Sequence, residues 1–313
     1  MRKNKAVKII TIIFLSLSAW VIVHNLMLKL ETATLDGRGT YVKIDNYKMH
    51  LYDSGEGRHT IVLLTGLGTG SPMLDFLPLS DALSDEFRII TVEPFGYGYS
   101  EMTNRPRTIE NLVQEIRQAL KKIDAKPPYI LLPHSISGVY SYYWAAKFPK
   151  EITALIGNDC AVPDFVELVE DSPPIKERLV YFLGINRLAH WFFPKVLTPG
   201  DMKENYSNEM LSELRKKIIR TFGNRIVIDE WENYYENAKK AQMVIIAPSL
   251  PVLFFIADKP DFNSNIFIKE RLKVLAIQKT GDYKVLNSGH YMHRTHSSEM
   301  AIEISDFIRE HVD

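Results

Sequence analysis

The stretch Ile130-Leu-Leu-Pro-His-Ser-Ile-Ser-Gly138 places a serine between a β-prone apolar run and a segment that can form a helix. Residues 130–132 predict a buried strand and residues 139–147 are compatible with a helix, so Ser135 falls at the turn between them. A serine on such a sharp turn projects its hydroxyl away from the sheet, beside the free N–H groups that begin the helix. The same residues are also typical of a simple helix N-cap, and that interpretation stays open here.

Space around this serine is restricted, because the backbones of the strand and the helix come close together. Ser137 and Gly138 are small enough on the helix side. Pro133 stands where the pattern Gly-x-Ser-x-Gly has its first glycine, and proline cannot donate a hydrogen bond to a neighbouring strand. The sequence therefore requires the strand to end at this proline.

Length and composition indicate a globular protein: the chain has 313 residues, 46% of them hydrophobic, and a formal net charge of zero. These values favour one large α/β domain with an insertion and exclude a disordered protein. A neutral chain creates no global field that attracts polyanions, so we expect no nucleic-acid partner. Cys160 is the only cysteine, which excludes internal disulfides and a cysteine-rich zinc site.

The amino terminus combines four basic residues within positions 1–8 with an apolar run at positions 9–28. About 20 apolar residues are enough to cross a bilayer as a helix, and the basic segment that precedes them is expected to stay in the cytoplasm. We therefore predict a single-pass signal anchor in the cell membrane, then a linker at residues 29–39, with the remaining chain on the extracytoplasmic side. The alternative is secretion after signal cleavage, because Ser16-Leu-Ser18 is a small-x-small site.

From residue 40 onward, short apolar runs alternate with amphipathic helical patterns. The predicted strands are residues 41–45, 48–53, 60–65, 88–93, 130–132, 153–157, 251–257 and 283–286, and the predicted helices are 73–83, 108–123, 271–277 and 297–311. The first two strands form an antiparallel hairpin at a sheet edge. The alternation that follows favours a mostly parallel sheet with helices on both faces.

Residues 162–249 interrupt this alternation with amphipathic helical segments, among them 210–219 and 231–239, that are punctuated by prolines. We interpret them as a helical lid inserted into the α/β domain. The many Phe, Tyr, Trp and Leu residues of the lid favour a small-molecule acyl substrate that is partly apolar, although they must also pack the lid onto the sheet.

Two loops complete a candidate catalytic site. Gly66-Leu-Gly-Thr-Gly70 follows a predicted strand, and it lacks the lysine and the glycine spacing of a phosphate-binding loop, so an oxyanion loop fits better. Asn287-Ser-Gly-His290 places a histidine between the last strand and the last helix. Loops at the carboxyl ends of parallel strands converge, so His290 can reach Ser135 despite their distance in sequence.

With these parts present, the chain resembles the α/β-hydrolase superfamily, specifically its lid-bearing esterase and lipase-like branch, over residues 40–313. Four motifs carry the resemblance in the family's order: Thr65-Gly-Leu-Gly68 for the oxyanion loop, Glu93-Pro-Phe-Gly-Tyr-Gly-Tyr-Ser100 for the Asp-x-x-Gly-x-Gly-x-Ser turn, the Ser135 turn for the nucleophile, and Gly289-His290 for the base. The resemblance implies an α/β-hydrolase fold: a mostly parallel central sheet with helices on both faces and a helical lid insertion, here preceded by one transmembrane helix.

The resemblance also implies roles for individual residues. Ser135 would be the nucleophile and His290 the base, and the backbone N–H groups of Leu67 and Ile136 would form the oxyanion hole. The family pattern is altered at Thr65 and Pro133. Neither change removes a catalytic group, because the oxyanion donors belong to the backbone.

The acid of the triad has two possible locations in the family. In most relatives it follows the strand after the lid, in a Gly-x-x-Asp pattern, but here Ala257 and Pro260 occupy the Gly and Asp positions. Asp258 is then too early. Asp261 is one residue late, but a one-residue insertion would place it correctly, so it remains a candidate. The other location is the end of the strand before the lid, where Asp159 lies; it needs no insertion, so we assign it as the acid, although it is also compatible with a strand-end or capping carboxylate.

The sequence thus predicts a serine hydrolase that cleaves an ester or related acyl substrate through an acyl-enzyme intermediate, without a cofactor. We expect no metal, because His290, His293 and His296 recur every three residues but no carboxylate or cysteine completes a ligand set. A serine at position 135 argues against epoxide hydrolases and dehalogenases, which use a carboxylate nucleophile.

Two alternatives remain. A proline-iminopeptidase-like aminopeptidase is a close relative in chemistry, although that group's Gly-Gly-Ser-Trp-Gly turn is absent from the chain. A non-catalytic binding protein that reuses the fold is the other alternative. Covalent labelling by a fluorophosphonate separates an enzyme from a binding protein.

Overall fold

A central sheet organises the protein, whose computed structural model describes residues 2–33, 37–168, 174–202, 206–258 and 264–312. The strands within these residues are β1 (Thr40–Ile44), β2 (Tyr47–Ser54), β3 (Thr60–Leu64), β4 (Arg88–Glu93), β5 (Tyr129–Pro133), β6 (Ile152–Asn158), β7 (Val252–Ala257) and β8 (Gly281–Leu286). They form one sheet in the order β1-β2-β4-β3-β5-β6-β7-β8. The pairs β1–β2 and β2–β4 are antiparallel and the remaining pairs are parallel, which confirms the predicted edge hairpin and the mostly parallel sheet.

Helices cover both faces of this sheet. They are α1 (Arg2–Ala33), α2 (Pro72–Leu83), α3 (Ile109–Lys122), α4 (Ser137–Lys147), α5 (Ile175–Phe182), α6 (Ile185–Phe192), α7 (Asn208–Thr221), α8 (Arg225–Glu232), α9 (Tyr234–Gln242), α10 (Ser264–Leu275), α11 (Met292–Thr295) and α12 (Ser297–His311). Alternate residues of β3 point to opposite sides: Ile61 and Leu63 join a core with α2 and α12, whereas Val62 and Leu64 join a core with α3 and α4. This two-sided burial explains why the strand reads as a continuous apolar run.

The sheet register brings three loops together at one edge. Leu64 at the end of β3 pairs with Pro133 at the end of β5, and His134 forms a parallel bridge with Asn158 at the end of β6. The residues that follow these three strands are therefore neighbours in space. Pro133 is the last residue of its strand, as the sequence requires.

Two predicted helices have different bounds in the structure. The helix predicted at 271–277 begins at Ser264, because Ile268 lies two turns before Leu275 and packs against the same core. The segment predicted as one helix at 231–239 is divided into α8 and α9. Asn224 begins α8 early by accepting hydrogen bonds from the N–H groups of Ile226 and Val227.

Helix α1 contains a segment, Lys5–Glu31, that is long and apolar enough to cross a membrane. A signal sequence near the amino terminus meets the same criteria of length and hydropathy. The helix continues to Ala33 and so includes the first five residues of the segment predicted as a linker. Its apolar side chains between Val7 and Leu17 are exposed, so this half of the helix does not contribute to the core.

We call the helices between β6 and β7 the helical insertion. Hydrogen bonds attach this insertion to the loops that follow β3 and β4. The hydroxyl of Thr221 donates to the carbonyl oxygen of Gly70 (3.1 Å). The side-chain amide of Asn224 donates to the carbonyl oxygen of Gly96 (2.8 Å). Arg220 donates to Gly98 O at 2.7 Å. These bonds place α7 and α8 directly above the carboxyl edge of the sheet.

Lys217 of α7 is buried in this contact, with its ammonium 3.3 Å from the centre of the Tyr99 ring. Burial lowers the pKa of Lys217 to about 8. At about 1.4 kcal/mol for each pKa unit, the charge costs on the order of 3 kcal/mol at neutral pH. We expect Lys217→Met, which keeps the apolar stem but loses the cation–π contact, to raise the free energy of unfolding by on the order of 2 kcal/mol, a few degrees in Tm.

Thermal unfolding in detergent near pH 7 and near pH 9.5 measures this effect. The gain of Lys217→Met in the free energy of unfolding should shrink between about pH 8 and pH 10.5. In this range the folded wild-type protein loses the Lys217 proton that the unfolded chain still binds, so the wild type becomes more stable as the pH rises. Lys216→Met, at the exposed neighbouring position, is the matched control and should leave Tm unchanged. A gain that does not depend on pH would contradict this assignment of the cost to the buried charge.

Candidate active site

Ser135 lies on a sharp turn between β5 and α4. Its φ angle is +55°, in the left-handed region that residues other than glycine seldom adopt. The carbonyl oxygen of Ser135 accepts hydrogen bonds from Gly138 N (3.1 Å) and Ala161 N (2.8 Å), which hold the turn from two sides. Helix α4 has Ile136 at its N-cap position and no side-chain cap, so the N-cap interpretation of Ser135 is wrong.

The residues around this turn have no room for side chains. A Cβ atom on Gly138 would lie 2.0 Å from the carbonyl oxygen of Ala161. A Cβ atom on Gly66, in the loop after β3, would lie 2.9 Å from His134 Nδ1 and 3.1 Å from the Cβ of Ser135. The close approach predicted from the sequence is confirmed, and the loop after β3 lies directly against the Ser135 turn.

The structure brings Asp159 and His290 together. Asp159 follows β6 with a φ angle of +42°, and its N–H donates to Phe255 O, which continues the sheet. His290 Nδ1 is 2.7 Å from Asp159 Oδ2. When Nδ1–H donates to this carboxylate, Nε2 of the neutral ring carries a lone pair that can accept a proton.

Asp159 is held as a buried carboxylate, 6% exposed. Burial alone would raise the pKa of the Asp159 carboxyl, but the hydrogen bond with His290 and the nearby Arg271 guanidinium outweigh burial and lower the pKa. Arg271 Nη2 lies 3.0 Å from Asp159 Oδ1, and Arg271 Nε donates to Cys160 O at 2.9 Å. Sequence reasoning missed Arg271, because an arginine within a helix usually faces solvent.

The other two candidate acids have different positions. Asp258 is exposed, and its backbone N–H donates to Leu286 O beside β8. Asp261 lies outside the described residues. Of the candidates that the structure describes, Asp159 is the one hydrogen-bonded to His290.

The loop that contains Leu67 is supported from the helical insertion. The N–H of Gly68 donates to the Tyr97 hydroxyl (3.2 Å), which donates to Glu230 Oε2 (2.7 Å). The Tyr140 hydroxyl of α4 donates to Glu230 Oε1 at 3.0 Å. Burial raises the pKa of Glu230, a residue of α8 that is 4% exposed. Sequence reasoning missed this network, because no local pattern shows that Glu230 meets two tyrosines from distant segments.

The two predicted oxyanion donors flank the Ser135 turn. Leu67 is half-buried and packs against the core, and Ile136 is buried directly after Ser135. Among the residues that the structure describes, we find no protein acceptor for the N–H groups of Leu67 and Ile136. The oxyanion role of these two groups stays a prediction.

Two further buried histidines adjoin the site. The His134 ring packs against the His290 ring with centroids 4.4 Å apart and a tilt of 41° between the ring planes, and His134 Nε2 lies 3.1 Å from His290 O. Burial lowers the pKa of His134 well below its usual value, so this ring is neutral. His293 interacts through Nε2 with Asp75 (2.9 Å) and through Nδ1 with the amide of Asn158 (2.7 Å).

Asp75, His134 and His293 each place one potential metal ligand within 4.8 Å of the others. The Asp75 carboxylate, however, already accepts a hydrogen bond from Arg294 Nε at 2.6 Å. Both ring nitrogens of His293 have protein partners as well. An adjacent guanidinium and occupied ligand atoms do not fit a cation site, and we interpret the cluster as a structural network.

A cavity of about 290 Å³ lies between the loop after β3 and the helical insertion. Gly68 contributes to one wall, Leu214 and Ile218 of α7 contribute to another, and Tyr291 lines the side next to His290. Its walls combine apolar side chains with the charged side chains of Asp75, Asp201 and Arg294. The residues that line the cavity include the chain neighbours of Leu67 and His290 but neither Ser135 nor His290 itself. Its volume is large enough for a small acyl group.

Comparisons with known proteins identify the fold family. A family model described as the alpha/beta hydrolase fold matches residues 59–294. The protein YbdG of Bacillus subtilis (strain 168) is 33% identical over 288 residues, which cover 88% of this chain and 86% of YbdG. Serine hydrolase BPHL of Mus musculus is 32% identical over 119 residues, 37% of this chain and 40% of BPHL. The crystal structure of epoxide hydrolase VrEH1 from Vigna radiata has a TM-score of 0.66 and 18% identity, covering 87% of this chain and 97% of VrEH1.

Proposed function

Because the chain belongs to the alpha/beta hydrolase fold family, we propose that it is a serine hydrolase that cleaves an ester or related acyl substrate. The observation that carries the proposal is that three candidate residues follow strands of one sheet edge. Ser135 lies on a left-handed turn, and His290 is hydrogen-bonded to the buried Asp159 carboxylate. Similarity to a serine hydrolase, BPHL, supports the same chemistry.

In the proposed reaction, Ser135 Oγ attacks the substrate carbonyl while His290 Nε2 accepts the hydroxyl proton. The carbonyl oxygen becomes an oxyanion that accepts hydrogen bonds from the N–H groups of Leu67 and Ile136. His290 then gives its proton to the leaving alcohol, and an acyl-enzyme remains on Ser135. Water activated by His290 hydrolyses the acyl-enzyme and restores the serine. Asp159 keeps the imidazole oriented and stabilises its charged form.

The structural neighbour VrEH1 is an epoxide hydrolase, a class whose nucleophile is a carboxylate. This chain has a serine at that place in its own turn, so we do not extend the epoxide hydrolase activity to it. The proposal is tested by a panel of esters graded in chain length, with an amide and a thioester included. Hydrolysis of the esters is expected; cleavage of amides that begin with proline would favour the aminopeptidase alternative instead.

The support of the oxyanion loop provides a second test. Tyr97→Phe removes the acceptor of the Gly68 N–H and leaves the Glu230 carboxylate with Tyr140 alone. We expect kcat/KM for an ester to fall about tenfold, roughly 1.4 kcal/mol, because the loop that presents Leu67 loses one hydrogen bond. Tyr143→Phe, at a half-buried position of α4, is the matched control. Equal kinetics of both variants would show that the loop keeps its position without Tyr97.

We also propose that α1 is an uncleaved signal anchor with the catalytic domain on the extracytoplasmic side. Arg2, Lys3, Lys5 and Lys8 precede the apolar run, which is the arrangement of a helix that keeps its amino terminus in the cytoplasm. Protease added to intact cells should digest the domain but spare an epitope at the amino terminus. Recovery of a soluble protein that begins near Ala19 would establish signal cleavage and contradict this topology.

A further inference from the structure

The first part of the helical insertion exposes large apolar side chains. Trp191, Phe192, Phe193 and Val196, at the end of α6 and in the turn after it, are 50%, 68%, 67% and 74% exposed. Phe182, at the end of α5, is 54% exposed. We call these five residues the apolar edge. Soluble surfaces seldom carry such a patch unless it has a partner.

The apolar edge lies beside α1. Trp20 of α1 donates from Nε1 to Leu183 O (2.8 Å), and its ring packs edge-on against Trp191 with centroids 5.3 Å apart. One turn later, His24 Nε2 lies 3.0 Å from Tyr181 O. The second half of α1 is therefore a neighbour of both α5 and α6.

A buried polar cluster makes this contact specific. Arg187 of α6 is 3% exposed and donates from Nε to His24 Nδ1 at 3.0 Å. Its two terminal nitrogens donate to the two carboxylate oxygens of Glu31, each at 2.7 Å. Gly184 is required beside His24, since a Cβ atom there would lie 2.6 Å from the imidazole. The bidentate pair and the buried histidine fix how far along α1 the insertion sits.

The position of the helical insertion along α1 determines how deeply the insertion enters a bilayer that α1 spans. At 1.5 Å for each residue, residues 9–28 extend about 30 Å, which matches the thickness of the hydrocarbon core. Trp20 then lies about 12 Å inside the boundary marked by Leu28. If the insertion stayed in water, only residues 9–19 would remain for the membrane, about 16 Å, which is too short. A spanning α1 consequently carries Trp191 and its neighbours into the lipid.

On this basis we propose that the apolar edge is embedded in the bilayer, in the same leaflet as residues 20–28 of α1, with lipid acyl chains as its ligand. The proposal rests on the anchor proposed above. At the same level of α1, Ile22 and Leu26 lie on the face away from Trp20 and His24 and are 68% and 55% exposed. A bilayer that covers these two side chains also reaches the insertion bound to the same helix.

Fluorescent probes on single introduced cysteines test the proposal in the full-length protein. Burial raises the pKa of Cys160 to about 12, so the native thiol does not react under labelling conditions, and unmodified protein serves as the blank. The probe is placed at Phe192→Cys in the apolar edge, at Ile13→Cys in the anchor, and at Ile302→Cys on α12 as the matched control. All three positions are more than half exposed in the structure.

The labelled proteins are reconstituted in vesicles of phosphatidylcholine and phosphatidylglycerol that contain a lipid with a nitroxide quencher on its acyl chain. We expect the probes at positions 13 and 192 to lose fluorescence to the same extent, while the probe at 302 keeps it. Quenching at 13 combined with a signal at 192 equal to that at 302 would overturn the inference and leave the anchor intact. No quenching at 13 would overturn the anchor, and the inference with it.

Discussion

Replacing Ser135 by alanine is expected to abolish covalent labelling by a fluorophosphonate and to lower kcat by about 10⁴ to 10⁶. The proposed reaction has no other group that forms the acyl-enzyme, so the loss is a loss of chemistry. Stability should hardly change, because the turn is held by the backbone oxygen of Ser135 and not by its side chain. Gel-based labelling, ester hydrolysis and thermal unfolding of the same preparation measure the three effects.

Ser141→Ala is the matched control for this experiment. Ser141 is buried in α4, about one turn from the start of the helix, and among the described residues its hydroxyl oxygen has no hydrogen-bond partner. Its removal should leave both labelling and kcat unchanged. If Ser135→Ala kept full activity, Ser135 would have no catalytic role, and the binding-protein alternative would gain support from a wild-type chain that does not label.

Replacing Asp159 by asparagine should lower kcat by up to about 10⁴ while ester binding is retained. The amide has nearly the shape of the carboxylate, but it can present its N–H₂ group to His290 Nδ1 and so favour the tautomer whose Nε2 carries the proton. It also leaves the buried Arg271 without a counter-charge at 3.0 Å, so we expect a lower Tm as well. Comparison of kcat with Tm separates the catalytic effect from the structural one.

Asp258→Asn provides the control, because that residue is exposed and its backbone alone takes part in the sheet ladder. It should behave as wild type. Asp261→Asn completes the set of candidate acids. Near-wild-type activity of Asp159→Asn together with a collapse in either of the other two would move the acid to the position after β7.

Sequence reasoning predicted what local patterns encode. The continuous apolar run of β3, the small residues around Ser135 and the alternation of strands and helices each reflect burial along one element. Parallel strands then bring their carboxyl ends to one edge, which is why Asp159 and His290 could be expected to meet despite their separation in sequence. The end of β5 at Pro133 followed from the chemistry of proline alone.

Contacts between the helical insertion and the rest of the chain were not predictable in this way. Glu230, Arg187 and Arg271 are charged residues within helices, and a solvated face is their usual environment. Their partners come from distant segments, and helical periodicity does not specify which helix meets which loop. The capping role of Asn224 was likewise not predicted, because α8 begins at Arg225 in the structure and was expected to begin at residue 231.

The hydrogen bonds of the helical insertion connect it to two different parts of the chain. Helices α7 and α8 are bonded to the carbonyl oxygens of Gly70 and Gly96, so they move together with the catalytic loops. Helices α5 and α6 are bonded instead to α1 through Leu183 and Arg187. Arg178 of α5 donates to Glu232 of α8 at 2.8 Å, so the two sets of contacts are joined to each other. A displacement of α1 would therefore be passed through α5 to α8, the helix whose Glu230 supports the oxyanion loop.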